Sequence, residues 1–150
     1  MTTIACDGFS VAGDGQREHR GTIVTSAAEK VRRLSDGRIV GTAGCVACGI
    51  KAVKWLEDGG DAPGFPSDVE FSALILYPTG IVEMMGHECV LVPVALPFAI
   101  GSGMDLAIGA MEAGADPAKA VLIASMRDPG TGGVITSIER PSLTVARQAA

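Results

Sequence analysis

Apolar and polar positions along this chain fall into short alternating runs punctuated by glycine- and proline-bearing turns. Thr2 to Ala5 and Phe9 to Ala12 are two such runs on either side of Asp7-Gly8, and they predict a hairpin that closes at Gly13-Asp14-Gly15. A further β-rich run spans Gly21 to Ser26. Lys30 to Leu34 and Arg38 to Ala43 flank the turn Ser35-Asp36-Gly37. From Cys45 to Leu56 the period changes, because Val46, Ile50, Val53 and Leu56 recur at helical spacing. The stretch Glu57 to Ser67 is rich in Gly and Pro and reads as a loop.

Phe71 to Tyr77 and Ile81 to Met85 predict a second hairpin around Pro78-Thr79-Gly80. Cys89 to Ile100 is an extended segment, bent at Pro93 and Pro97, that leads to Gly101-Ser102-Gly103. Met104 to Ala113 reads as a helix. Asp116-Pro117 opens another, with Asp as N-cap and Pro in the first helical position, and the helix runs to about Arg127 before Pro129-Gly130 stops it. Val134 to Ile138 is the last strand. Helices cluster here instead of alternating with strands, which argues for an α+β layered sandwich of hairpins and against a doubly wound parallel sheet.

The 150 residues suit one domain with a single sizeable core, and no internal repeat or domain boundary interrupts them. An apolar fraction of 47% against 19% charged residues excludes a disordered chain. Aromatic residues make up only 4%, too few for a platform that stacks single-stranded bases, and a net charge of -5 leaves no broad basic face. Both observations argue against nucleic acid as a partner. The longest apolar run, Cys89 to Ile100, is too short and too broken by proline to span a membrane. Met1-Thr2-Thr3-Ile4 has neither the basic start nor the apolar stretch of a secretory leader, so the four cysteines are expected as reduced thiols and the expected location is the cytoplasm.

Six short stretches could carry chemistry. Thr2 follows the initiator Met, and removal of Met1 would leave a hydroxyl nucleophile beside a free α-amine, a built-in base with a reference pKa of roughly 7.7 to 8. Asp14 sits in Ala12-Gly13-Asp14-Gly15-Gln16, and Lys30 in Glu29-Lys30-Val31-Arg32-Arg33-Leu34. Gly44, just before a predicted helix, can present a backbone N–H near the positive end of a helix dipole, where an oxyanion would bind. Gly101-Ser102-Gly103 also precedes a helix, and Arg127-Asp128-Pro129-Gly130-Thr131-Gly132-Gly133 completes the set. Singly, each has an ordinary explanation: a common Met-Thr start, a turn Asp, a solvated charge run.

In this order, the stretches resemble the proteasome family of N-terminal-nucleophile (Ntn) hydrolases, in particular the peptidase subunit of the bacterial HslUV complex. The Arg127-Asp128 segment is more similar to proteasome β-subunits. The matching stretches run nearly end to end. The resemblance implies a four-layer αββα sandwich of antiparallel sheets and a threonine-type endopeptidase. It implies Thr2 as nucleophile, Lys30 beside the Thr2 oxygen, Asp14 pairing with Lys30, Gly44 as oxyanion donor, and Ser102 and Asp128 around the α-amine. Thr42 and Val46 would line the pocket for the residue before the scissile bond, with Ala28 nearby, and favour apolar side chains. No cofactor is required. The turn carrying Ser125, Asp128 and Thr131 is a candidate site for a structural monovalent or divalent cation held by backbone carbonyls.

As partners the resemblance implies further copies of the chain in a homo-oligomeric ring, a double ring by analogy, with unfolded polypeptide as substrate and an AAA+ ATPase unfoldase. Two departures stand against it. Only Glu57 to Glu70 lies where the family carries a second long helix, so one helical layer is shortened and surface that packs rings and receives an ATPase is lost. Cys45-Val46-Ala47-Cys48 is the other, and it reads more readily as two small packing residues than as a metal or redox pair. Two other functions use the same residues: hydrolysis of small amides, and a silent scaffold that retains Met1.

Overall fold

The computed structural model describes residues 1–141. The predicted opening hairpin forms from β1 (Thr3–Cys6) and β2 (Ser10–Gly13), paired antiparallel with Ala5 opposite Ala12. Strands β3 (Arg17–His19) and β4 (Thr22–Thr25) make a separate two-stranded ribbon, followed by β5 (Val31–Arg33) and β6 (Ile39–Gly44). Helix α1 (Val46–Asp58) comes next, then β7 (Phe71–Leu76), β8 (Val82–Met85), β9 (Val92–Pro93) and β10 (Phe98–Gly101). Helices α2 (Met104–Glu112) and α3 (Pro117–Ser125) precede β11 (Thr136–Glu139).

Two antiparallel sheets result, in the orders β10-β1-β2-β11 and β5-β6-β7-β8-β9. The alternation in the sequence decides which residue goes to which layer, because successive strand side chains point to opposite faces. Ile4, Cys6, Val11, Ile39, Leu74, Leu76 and Ile100 point inward and form the core between the sheets. Their neighbours Ala5, Ala12 and Ala99 point outward, where α2 and α3 pack on them through Ala107, Ala120, Val121 and Ala124. On the outer face of the other sheet, Val40, Ala73 and Ile75 meet Cys48, Ala52 and Leu56 of α1. The small outward residues let α2 and α3 lie close. The architecture is therefore α+β with four layers: two helices, sheet, sheet, one helix.

The single helix on the second face is the shortened layer, with residues 59–70 carrying no helix after α1. Glu57 and Asp58 complete α1 instead of opening the loop, and the helix stops where Gly59 adopts a left-handed φ of 76°. Differences from the predicted elements sit at ends and edges. The strand β3 is polar and exposed, so no apolar alternation announces it. The helix α3 ends at Ser125, short of Arg127, as the chain turns into the Asp128 loop. Asp116 does cap it, accepting from Lys119 N–H at 2.8 Å.

Candidate active site

Thr2 and Lys30 approach from different sheets. Thr2 immediately precedes β1, and Lys30 immediately precedes β5 of the facing sheet. Stacking the sheets brings the Lys30 Nζ within 2.8 Å of Thr2 Oγ1. Lys30 is buried, 7% exposed, and its ammonium also donates to Asp14 Oδ1 at 3.0 Å and to the Gln16 carbonyl at 2.5 Å. Burial pushes the Lys30 ammonium below its ordinary range; the adjacent Asp14 works against this by charge and hydrogen bond, and the charge of Arg17 adds to it.

Asp14 follows β2 and is fully enclosed. Besides Lys30, it accepts from the backbone N–H groups of Thr3 at 3.1 Å, Gln16 at 3.3 Å and Gly132 at 3.1 Å. A buried carboxylate is tolerated only when paired and hydrogen-bonded, and here one lysine and three amides do both. The same bonds lock the lysine in place against Thr2.

A second group surrounds the Thr2 nitrogen. Thr2 N–H donates to Ser102 Oγ at 3.3 Å, and Ser102 donates to Asp128 Oδ2 at 2.6 Å. Thr131 Oγ1 donates to the same Asp128 oxygen at 2.5 Å and shares a hydrogen bond with Thr3 Oγ1 at 2.6 Å. Burial works to raise the Asp128 pKa, yet hydrogen bonds from Ser102, Thr131 and the Gly130 amide outweigh it and hold the carboxyl below its usual range. Gly101 closes the arrangement: at φ 95° and without a Cβ it lets the Thr2 carbonyl lie against its backbone.

Gly44 ends β6 at φ 92°, with the Glu70 carbonyl where a Cβ would go. It lines a cleft of about 730 Å³ shared with Thr2 and Lys30. Thr42 and Val46 line this cleft too, together with Val24, Leu34, Val40, Ile50 and Val53, while Arg17, Arg32, Glu29, Lys54 and Glu57 rim it. Ala28 does not line it. Its N–H donates to the Gly15 carbonyl at 2.9 Å, so it supports the turn that carries Asp14 and Gln16.

The structure thus gathers Thr2, Asp14, Lys30, Ser102 and Asp128 at one end of the sandwich, with Gly44, Thr42 and Val46 along the adjoining cleft. Sequence reasoning missed Gln16, whose carbonyl accepts a hydrogen bond from Lys30 Nζ and whose Nε2 donates to the Pro129 carbonyl at 3.0 Å. It also missed Thr3, the partner of Thr131, and Arg17, a charge in the cleft. Gln16 and Thr3 act through a backbone carbonyl and a bond across 128 positions, which residue type does not reveal. At the candidate cation turn, Ser125 Oγ donates to the Leu122 carbonyl and the Asp128 carbonyl accepts from Thr131 N–H at 3.1 Å. That carbonyl therefore already closes a turn. All four cysteines are free thiols, and among the described residues no His, Cys, Asp and Glu cluster is arranged to hold a metal.

The layered architecture is the fold of the solved HslV and BPH structures. The chain is similar to eukaryotic HslV from Trypanosoma brucei at 22% identity and a TM-score of 0.69, over 92% of this chain and 98% of that one. It is likewise similar to the BPH protein of Thiobacillus denitrificans, solved in complex with epoxomicin, at 17% identity and a TM-score of 0.68, over 93% of this chain and 98% of that one. A second BPH structure agrees at 18% identity, a TM-score of 0.68 and coverage of 94% and 98%. No protein-family model and no curated protein sequence matches the chain. Among the described residues no helix is long and apolar enough to cross a membrane.

Proposed function

We propose that the chain is a threonine-type peptidase that uses Thr2 as its N-terminal nucleophile once Met1 is removed. The observation that carries this reading is the Lys30 ammonium, buried and 2.8 Å from Thr2 Oγ1, with Asp14 holding it there. A hydroxyl is a poor nucleophile until its proton has a destination and its oxygen a counter-charge. Removal of Met1 converts the Thr2 nitrogen from an amide into an amine beside Ser102 and Asp128. That amine takes the Oγ1 proton, and Lys30 stabilises the developing alkoxide. Attack on a peptide carbonyl then forms an O–C bond to Thr2, with the oxyanion directed to the Gly44 N–H. Collapse breaks the C–N bond, the leaving amine takes the proton, and water hydrolyses the remaining ester. Met1 currently occupies part of this site, since Thr2 Oγ1 donates to the Met1 carbonyl at 2.6 Å.

The apolar cleft wall formed by Val46, Ile50 and Val53 supports a preference for apolar side chains before the scissile bond. Unfolded polypeptide is the substrate class of this reading. A homo-oligomeric ring of single-domain subunits is part of the same reading, supported by exposed Ile23 and Val24 on the β3–β4 ribbon and Leu106, Leu122 and Met126 on the α2–α3 layer. The thin helical layer leaves an AAA+ ATPase partner with less surface to grip.

Incubating the Met1-free protein with an unfolded protein and with N-capped fluorogenic peptides tests the reading, with light scattering on the same sample to read oligomer mass. Peptide turnover that Thr2→Ala abolishes supports it. Turnover of small amides alone moves the protein to the small-amide reading, and no turnover by the Met1-free chain contradicts a peptidase.

A further inference from the structure

Cys45 and Cys48 are not used by this chemistry, yet they stand at its edge. Cys45 is the N-cap of α1, directly between Gly44 and Val46, and all three line the cleft that holds Thr2. Its Sγ folds back over the first helical turn and accepts the Cys48 N–H at 3.2 Å. The two side chains therefore share one helix face and one turn. They differ in access: Cys45 is half-buried and opens to the cleft, whereas Cys48 is buried, 6% exposed, against Ala52, Ala73 and Val40. Of the remaining cysteines, Cys6 is buried in the inter-sheet core and Cys89 in the same cluster as Cys48, but neither has a cysteine neighbour in sequence.

From this juxtaposition we infer that Cys45 and Cys48 form a redox-sensitive pair at the mouth of the candidate active site, with Cys45 the reactive thiol and Cys48 the resolving one. The asymmetry has a physical cause. A sulfur at a helix N-terminus that accepts a backbone N–H is stabilised as thiolate. Contact with Cys48 and the Cys48 amide lower the Cys45 thiol, while burial and then Cys45 itself push Cys48 up to about 11. A hydroperoxide is the co-reactant. The Cys45 thiolate attacks the peroxide oxygen, the O–O bond breaks, and Cys45 becomes a sulfenic acid as the peroxide is reduced. Cys48 sulfur then displaces the sulfenic oxygen, forming the S–S bond and releasing water. In sum, two thiols and one hydrogen peroxide give one disulfide and two waters. The property added to the packing of these small residues is a switchable bond one residue from Gly44.

The test reads thiols and does not depend on any peptidase activity. The intact protein is alkylated with iodoacetamide in a short pulse at neutral pH, with and without prior hydrogen peroxide, then cleaved with trypsin. Cleavage after Arg38 and Lys51 puts both cysteines, and no other, on residues 39–51. The pair predicts that Cys45 alkylates at least tenfold faster than Cys48 and Cys6. Peroxide then converts residues 39–51 to a form lacking two hydrogens and closed to alkylation, which dithiothreitol restores. In Cys48→Ser, peroxide leaves Cys45 as a sulfenic acid that dimedone traps. Equal alkylation of Cys45 and the buried cysteines overturns the proposal. So does a peroxide-treated wild-type peptide whose Cys48 remains free, or one whose Cys45 has gone to sulfinic acid without closing the bond.

Discussion

The ammonium of Lys30 lies 2.8 Å from the hydroxyl oxygen of Thr2, joining the residue before the inner strand β1 of one sheet to the residue before the edge strand β5 of the other. The contact exists because the two strands begin at the same end of the sandwich, and the inter-sheet core of Ile4, Val31 and Ile39 sets their separation. The buried inter-sheet core thus holds the Thr2 hydroxyl and the Lys30 ammonium together.

Replacing Lys30 by Met tests the electrostatic part of this arrangement. The variant removes the charge beside Thr2 Oγ1 and should lower peptide turnover by about 10²–10³-fold. It also leaves Asp14 buried without its cation, a change that costs about 3–5 kcal/mol when nothing else supports the carboxylate. Three backbone amides do support it here, so urea unfolding should place the loss at the lower end of that range. Full activity in Lys30→Met would remove the lysine from the mechanism.

If Thr2 is the nucleophile, the pH dependence of turnover follows from two groups. The acid limb belongs to the Thr2 α-amine, which must be unprotonated and has a reference pKa of about 7.7–8. The alkaline limb belongs to Lys30, which must keep its proton and loses it below the ordinary lysine range because it is buried. Turnover should therefore fall on the alkaline side earlier than a solvated lysine would allow. Lys30→Arg should retain residual activity and lose that alkaline fall, since a guanidinium stays charged. An unchanged alkaline limb in Lys30→Arg would assign it to another group.

Ser102→Ala separates Asp128 from the Thr2 nitrogen. A lowered carboxylate pKa stabilises the fold above the unfolded value of about 3.9 and loses that contribution as pH falls through the folded value. Ser102 is the first of the hydrogen bonds that lower Asp128, so its removal should move acid unfolding, followed by circular dichroism, to higher pH. At neutral pH the loss should be about 0.5–1.5 kcal/mol, and the acid limb of the rate profile should move with it. An acid transition identical to the wild type would show that the Ser102 bond does not hold Asp128.

Gly44→Ala meets two obstacles at once, a φ of 92° and the Glu70 carbonyl in the space of the new methyl. The variant should unfold about 1–3 kcal/mol more easily in urea, and any shift of its amide should lower turnover beyond what the remaining folded fraction explains. Stability within error of the wild type would mean that the strand relaxes around the methyl.

Much of this was legible in the chain itself. Alternation placed Ile4, Cys6 and Val11 inside and Ala5 and Ala12 outside, and the Asp116-Pro117 start of α3 stands out in any reading. The ribbon strand β3 was not legible, because Arg17, Glu18 and His19 carry no apolar face and pair only with a neighbouring strand. At the site, Thr2, Asp14, Lys30, Ser102 and Asp128 could be named from ordered motifs. Ala28 could not be placed, since whether a small residue lines a cleft or buttresses a turn depends on the backbone path around it. Gln16 offered no signal, because its contribution to Lys30 is a main-chain carbonyl. Low identity to the solved relatives leaves the site to be argued from geometry, as one fold hosts many chemistries.

An intact-mass spectrum of the purified protein before and after exposure to a peptide epoxyketone decides whether Thr2 is the nucleophile. That reagent closes its ring only on a residue bearing both a hydroxyl and a free α-amine. A Thr2 nucleophile predicts a chain lacking Met1 that gains one adduct, and no adduct in Thr2→Ala. A Met1-free chain that takes up no adduct, or an adduct that persists in Thr2→Ala, would contradict Thr2 as the nucleophile.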